Sequence, residues 1–561
     1  MKKSLILSLI LIAGMTSIVS AQRQSNAASF EFFRYKGNDA IFDREIDRNS
    51  QFINPVIAGF APDPSICRRG DTYYLVNSSF SFFPGVPIWT SKDLVHWEQL
   101  GHVLDRPSQL NLDGLAVSYG IFAPRIHYNH FNNTFYMVTT SVWGIGNFFV
   151  TTQEPSQGWS DPILLPQVRG IDPSFYFIND STGLVLECAD PMGGPNWQGE
   201  RSIHAHHFDV KNNRIVGEPV ELVRSGARPE DKPIWIEAPH IYFVDGYYIL
   251  YCAEGGTSLG HSQVVFRSKS LLGPYEPFKN NPILTQRDLP EERTDKITST
   301  GHADMIQRPD GSWWTVFLGI RPYEFDMSNT GRETFLLPVE WVDGWPVILR
   351  QGEQVPIVVD KPGLTPGTRP RTGNFEFLDD FNSATRDHTW VMLRTPREDW
   401  YSIENGRLIL TPRPITIEER KNPSALFRRQ QHTRFEAETK LDFTPTSSSD
   451  FAGYTMFQNE RFQFVFGKTI VDNKVSLVLN RIEGDNREVL STVALSRRES
   501  RRPVYLKING DGAYYDFLYS FNGRDWKTLK GDADGRNLSS RRAGGFIGAM
   551  IGLYTTTSFK L

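Results

Sequence analysis

Three cysteines, Cys67, Cys188 and Cys252, are all that 561 residues contain. They lie far apart and form no Cys-x-x-Cys pair, which excludes a disulfide framework and predicts buried thiols. An excess of charge is missing too. The net charge is −4, and two units more negative without Lys2 and Lys3, which argues against a nucleic-acid partner. The one dense basic cluster, Arg497, Arg498, Arg501 and Arg502, reads as a solvated loop. Long apolar runs are absent beyond the N-terminus, so no membrane span is predicted.

The N-terminal apolar run, Leu5 to Ile12, is too short to cross a bilayer. With Lys2 and Lys3 before it and Val19-Ser20-Ala21 after it, residues 1–21 read as a secretory signal. The mature chain then begins near Gln22 and is periplasmic or secreted. No cysteine stands near the cleavage site to carry a lipid anchor.

What the chain has in quantity is aromatic side chains and turn formers. Aromatics make up 13% of it, alongside 45 glycines and 35 prolines. That mixture suits turn-rich β architecture, and the length suits two domains. Aromatic planes also suit the C–H faces of sugar rings, although most of these residues will fill β cores.

A repeat is hidden in the turns. Asp71, Asn133, Asp180, Asp245 and Asp310 each open a short aromatic or aliphatic strand, as in Asp245-Gly246-Tyr247-Tyr248-Ile249-Leu250. These are hairpin signatures, and their spacing of roughly 45–65 residues holds about four strands with loops, which is one propeller blade. Eight residues before each turn stand Asp63, Arg125, Asp172, Glu237 and His302. The strand preceding a blade's first hairpin lines the central channel, so these five polar residues are expected around one axis.

The pattern changes after Asp343-Gly344-Trp345-Pro346. Prolines 362, 366 and 370 with glycines 363, 367 and 373 have linker composition. Beyond them, alternating strands and Asn-Gly turns at 405–406, 509–510 and 522–523 read as an antiparallel sandwich. The predicted organisation is all-β: a signal at 1–21, a lead-in at 22–53, a five-bladed β-propeller at 54–357, a linker at 358–374 and a concanavalin-like β-sandwich at 375–561.

Three carboxylates on one axis can supply a proton donor and a base, with a third charge to keep the donor protonated. The motifs around them narrow the chemistry. Ala61-Pro62-Asp63-Pro64-Ser65, Phe83-Pro84-Gly85-Val86-Pro87, Ser91-Lys92-Asp93-Leu94, Gly170-Ile171-Asp172-Pro173-Ser174, Glu237-Ala238-Pro239-His240, Gly301-His302-Ala303-Asp304 and Gly331-Arg332-Glu333-Thr334 together resemble glycoside hydrolase family 43. The resemblance runs from about Asn54 to the C-terminus, because the sandwich is similar to the one appended to that family's β-xylosidases and arabinofuranosidases.

The resemblance implies roles. Asp63 matches the general base, Asp172 the orienting aspartate that modulates the acid's pKa, and Glu237 the general acid of an inverting, exo-acting hydrolase. Phe80, Phe122, Thr257, His302 and Arg321 match substrate-binding positions. Phe546, within Gly544-Gly545-Phe546-Ile547-Gly548, matches an aromatic brought to the pocket mouth by the sandwich. No cofactor is required, and His302 is either a channel histidine or the neighbour of a structural axial calcium. His204, His206 and His207 read as an ordinary blade strand. Phe122 and Ile171 depart from the tryptophan and phenylalanine usual in related xylosidases, and Arg125 has no assigned role. The expected substrates are arabinose- or xylose-containing oligosaccharides of plant polysaccharide, with α-L-arabinofuranosidase ahead of β-D-xylosidase or dual activity. A non-catalytic sugar-binding propeller is a distant alternative.

Overall fold

The computed structural model describes residues 27–361, 363–365 and 372–561. The predicted signal at 1–21 and the linker positions 362 and 366–371 lie outside the described residues. Within them the chain is all-β, with one α-helical turn at Ser540–Ala543 and a few 3-10 turns. No described helix is long and apolar enough to cross a membrane. The three cysteines are free and buried.

Five consecutive antiparallel sheets occupy the first half. They open with the strands Ser65–Arg69, Gly120–Asn129, Ile171–Phe177, Glu237–Val244 and Thr298–Gln307. In each sheet the hairpin turn read from the sequence joins the first strand to the second. At Asp245-Gly246 both turn residues have positive φ, 48° and 76°, the geometry whose twist matches the flanking strands. The five first strands pack side by side and close into a ring, the fifth returning to the first. Burying one strand edge of every sheet in this ring removes five exposed edges at once.

The ring is clasped where it begins and ends. Gln51–Ile53 pairs antiparallel with Val358–Asp360, and the side chain of Asn54 bridges both backbone groups of Leu336. Residues 358–360, predicted as linker, are therefore part of the clasp. Beyond the clasp, the N–H of Thr365 donates to Asp93 and the Thr372 hydroxyl bonds the carbonyls of Val56 and Val95.

The second half is a two-layer sandwich, one layer containing Ser424–Arg429, Phe451–Asn459, Phe462–Val471, Lys474–Glu483, Asn486–Ala494 and Met550–Thr556. The facing layer corrects the predicted boundary. Ala28–Gly37, assigned to a lead-in, inserts between Leu408–Leu410 and Arg434–Asp442. Its Phe30, Phe33 and Tyr35 are fully buried, and Phe33 packs on Trp390 and Tyr454. The alternation in Ala28-Ser29-Phe30-Glu31 was visible, but its partner strand lies about 400 residues away in sequence.

The two units share a core. Phe82–Phe83 pairs with Met392–Leu393, and Phe60, Phe80 and Phe82 cluster with Val391, Leu393, Phe427 and Ile547. A chain ending at Lys361 would expose these residues and leave Ala28–Gly37 without a sheet. Such a truncation is expected to aggregate on expression. Recovery of a soluble, active fragment of residues 22–361 would contradict this.

Candidate active site

The ring's first strands are irregular at one shared level. Register shifts fall between Phe122 and Arg125, Ile171 and Ser174, Glu237 and His240, and Gly301 and Asp304. At this level Asp63, Ala123, Asp172, Ala238 and His302 all adopt positive φ, between 39° and 55°. Non-glycine residues rarely do so, and a bulge that carries such strain re-aims the side chains beside it. Here it turns Asp63, Asp172, Glu237 and His302 into one cavity of about 350 Å³, with Phe80, Phe122, Thr257, Arg332 and Phe546 among its other walls. That volume lies at the low end for small-molecule sites.

This geometry revises the predicted phase. Arg125 stands two residues beyond Ala123, so its counterparts are Ser65, Ser174, His240 and Asp304 rather than the pocket residues. It lies in a deeper layer of the channel and does not line the pocket.

Asp63 accepts from Arg332 Nη1 at 2.8 Å and from the Ser78 hydroxyl at 2.6 Å. Ser78 is in turn fixed by the N–H of Ala123 at 2.7 Å. Both Asp63 oxygens are thus oriented by buried donors. Asp172 is pushed up to about 7, first by burial and further by Asp63, against the opposing charge of Arg125. Glu237 is raised well above the ordinary carboxyl range by burial, then by Asp172 and Asp63. A carboxyl that keeps its proton near neutrality stands beside one held by two donors, which is how an acid and a base are separated in one site.

His302 is depressed well below the ordinary imidazole range by burial and by Arg125, and it sits with Nδ1 3.7 Å from Asp63. Its Nε2 has no partner. Calcium takes six to eight oxygen ligands, whereas the described residues contain no group of three His, Cys, Asp or Glu side chains able to hold an ion. In the His204, His206, His207 strand, His206 bonds Glu187 at 2.7 Å, and Glu187 accepts from the N–H of Gly170. The pair anchors the turn two residues before Asp172.

The apolar wall is an aromatic box. Phe80 and Phe122 meet edge to face at 5.0 Å between centroids, and Phe546 lies 6.0 Å and 5.7 Å from them. Phe546 comes from the sandwich, and its N–H donates to Ser118 at 3.0 Å. The segment can approach because Gly331, at φ +75°, lies against Gly548: a side chain on Gly331 would come within 2.8 Å of the Gly548 backbone.

Arg321 does not reach the pocket. It is buried between Glu333, which it grips with Nε and Nη2 at 2.6 and 2.8 Å, and Asp39, at 2.9 Å from Nη1. The pocket arginine is Arg332, which also donates to Thr257 at 3.1 Å and to the carbonyl of Phe546 at 3.3 Å. In the sequence Arg332 stands inside Gly331-Arg332-Glu333-Thr334 with nothing to set it apart as a pocket residue. Trp235, a further wall residue held under the Arg201 guanidinium at 4.4 Å, carries no motif signal at all.

The description "Glycosyl hydrolases family 43" matches residues 52–346, and "Beta xylosidase C-terminal Concanavalin A-like domain" matches residues 378–560. A xylosidase/arabinosidase of Butyrivibrio fibrisolvens is 36% identical over 536 residues, covering 90% of this chain and 96% of its own. A non-reducing end alpha-L-arabinofuranosidase of Bacteroides ovatus is 33% identical, covering 90% and 91%. The crystal structure of a GH43_12 protein retrieved from capybara gut metagenome superposes with a TM-score of 0.88 at 40% identity, covering 95% of this chain and 100% of that one.

Proposed function

The chain belongs to glycosyl hydrolases family 43 and is a glycosidase, and from that premise we propose that it is an exo-acting, inverting α-L-arabinofuranosidase trimming plant cell-wall polysaccharide. In this reading the ring of five sheets is a five-bladed β-propeller, the closed circle of first strands being its inner wall. The observation that carries the reading is the convergence of Asp63, Asp172 and Glu237 on one small pocket walled by Phe80, Phe122 and Phe546.

Glu237 gives its proton to the leaving oxygen as the glycosidic C–O bond breaks. A water oxygen bonds to the anomeric carbon from the opposite face, and Asp63 takes that water's proton. Asp172 keeps the proton on Glu237 until it is needed. The aromatic wall restricts depth, which suits chain ends or side branches. Phe122 and Ile171, the two departures from the xylosidase pattern, both line the pocket, and this favours arabinofuranose. A β-D-xylosidase, or an enzyme with both activities, is the second reading; the relative named for both activities favours it. Export through residues 1–21 belongs to the same proposal.

Initial rates on aryl α-L-arabinofuranoside and aryl β-D-xyloside test the specificity, with the arabinofuranoside expected to lead by about tenfold or more. A xyloside preference would replace the first reading with the second. NMR of the first-formed sugar is expected to show inverted anomeric configuration, and retention would reject the water-activating role of Asp63.

A further inference from the structure

Arg125 is fully buried, and its Nε, Nη1 and Nη2 all lack a hydrogen-bond partner. A guanidinium carries five N–H donors and stays charged even when desolvated, so leaving one bare in an interior is costly. The register shift on its strand places it one layer beneath the pocket, two residues along from Ala123.

Nothing in that layer neutralises it closely. The nearest carboxylate, Asp304, is 4.0 Å from Nη1, beyond hydrogen-bonding reach. Asp304 is already satisfied by the Ser65 hydroxyl at 2.8 Å, the Ile66 N–H at 2.9 Å and the Tyr242 hydroxyl at 2.5 Å. His127, His240 and His302 are each depressed by burial first and by Arg125 second, so they stay neutral. The Cys252 thiol, raised by burial, stays protonated.

On the pocket side, Asp172 feels Asp63, Glu237, Arg332 and Arg125. Arg332 is committed to Asp63 at 2.8 Å. The charge of Arg125 is committed to no carboxylate at hydrogen-bonding distance.

We propose that Arg125 is a positioning residue for catalysis: its charge, buried beneath the pocket and faced only by the Asp304 carboxylate at 4.0 Å, keeps Asp172 in the carboxylate form between Asp63 and Glu237. The inference rests on the reading that Asp172 tunes the acid. As a carboxylate, Asp172 opposes ionisation of Glu237 and so preserves the proton to be transferred; as a neutral acid it does not. Of the influences on Asp172, Arg125 is the largest that opposes burial. Activity that needs the carboxylate falls as pH drops through the Asp172 pKa, and removing a nearby cation raises that pKa. The acid limb of the pH profile must then move to higher pH.

The test is the pH dependence of kcat/KM for the full chain, with thermal midpoints recorded alongside. Arg125→Met is expected to move the acid limb upward by about one to two pH units, while Arg125→Lys leaves it close to wild type. Asp304→Asn, which uncovers more of the Arg125 charge, is expected to move the limb the opposite way, and this arm stands even if Arg125→Met does not fold. Asp172→Asn tests the underlying reading and is expected to lose that limb. An unmoved limb in folded Arg125→Met, or an upward shift in Asp304→Asn, overturns the inference alone. A wild-type profile in Asp172→Asn overturns the reading on which it rests.

Discussion

Asp63→Asn and Glu237→Gln are each expected to lower kcat by roughly 10²–10⁴-fold on an oligosaccharide while leaving the fold intact, because positioned proton transfer contributes about that much. The two losses should differ in their dependence on the leaving group. Without Glu237 no proton reaches the departing oxygen, so an activated aryl aglycone that leaves unaided should recover most of the rate. Without Asp63 the water is not activated, and the same aryl substrate should recover little. The amides are close in shape to the carboxyls they replace and both positions line a pocket that water can enter, so neither should unfold the protein. Equal recovery in both mutants would contradict the division of roles, and near-wild-type turnover of the oligosaccharide by either would remove that residue from the mechanism.

The second large effect separates two arginines that look alike in the sequence. Arg332→Met is expected to cost about 10²–10³-fold in kcat/KM, because Asp63 loses its 2.8 Å donor and the link to Thr257 and the Phe546 carbonyl is cut together. The bared Asp63 can take water from the pocket, so the thermal midpoint should fall little. Arg321→Met is expected to do the reverse. It strands the carboxylates of Asp39 and Glu333 in the interior, and breaking a buried pair of this kind costs about 3–5 kcal/mol. The variant should express poorly or melt early, and whatever folds should retain near-normal kcat/KM. Parallel losses of activity and stability in the two variants would mean that the pocket does not distinguish them.

Elements specified by short-range signals can be read directly along the chain. An Asn or Asp turn followed by alternating apolar residues fixes a hairpin within about a dozen positions, so the five hairpins and the sandwich strands beyond residue 375 were legible, and the count back from those turns reached Asp63, Asp172 and Glu237, which share the pocket. Phe546 was legible only through the resemblance of its segment to one in related xylosidases. The remaining features depend on partners distant in sequence. Ala28–Gly37 reads as a strand anywhere, but its place in the sandwich follows from edges supplied by residues 376–379, 408–410 and 434–442. The choice between Arg321 and Arg332 turns on which guanidinium finds Asp39 and which finds Asp63, each more than 250 residues away. The depth of Arg125 was hidden for another reason: a fixed eight-residue count assumes regular strands, and a bulge shifts the side chains that follow it. The strained backbone that turns the carboxylates into the pocket also sends Arg125 beneath them; a proline follows four of the five positive-φ residues, Asp63, Ala123, Asp172 and Ala238, so the site of the strain is marked locally, whereas the direction in which it sends each side chain shows only in the folded ring.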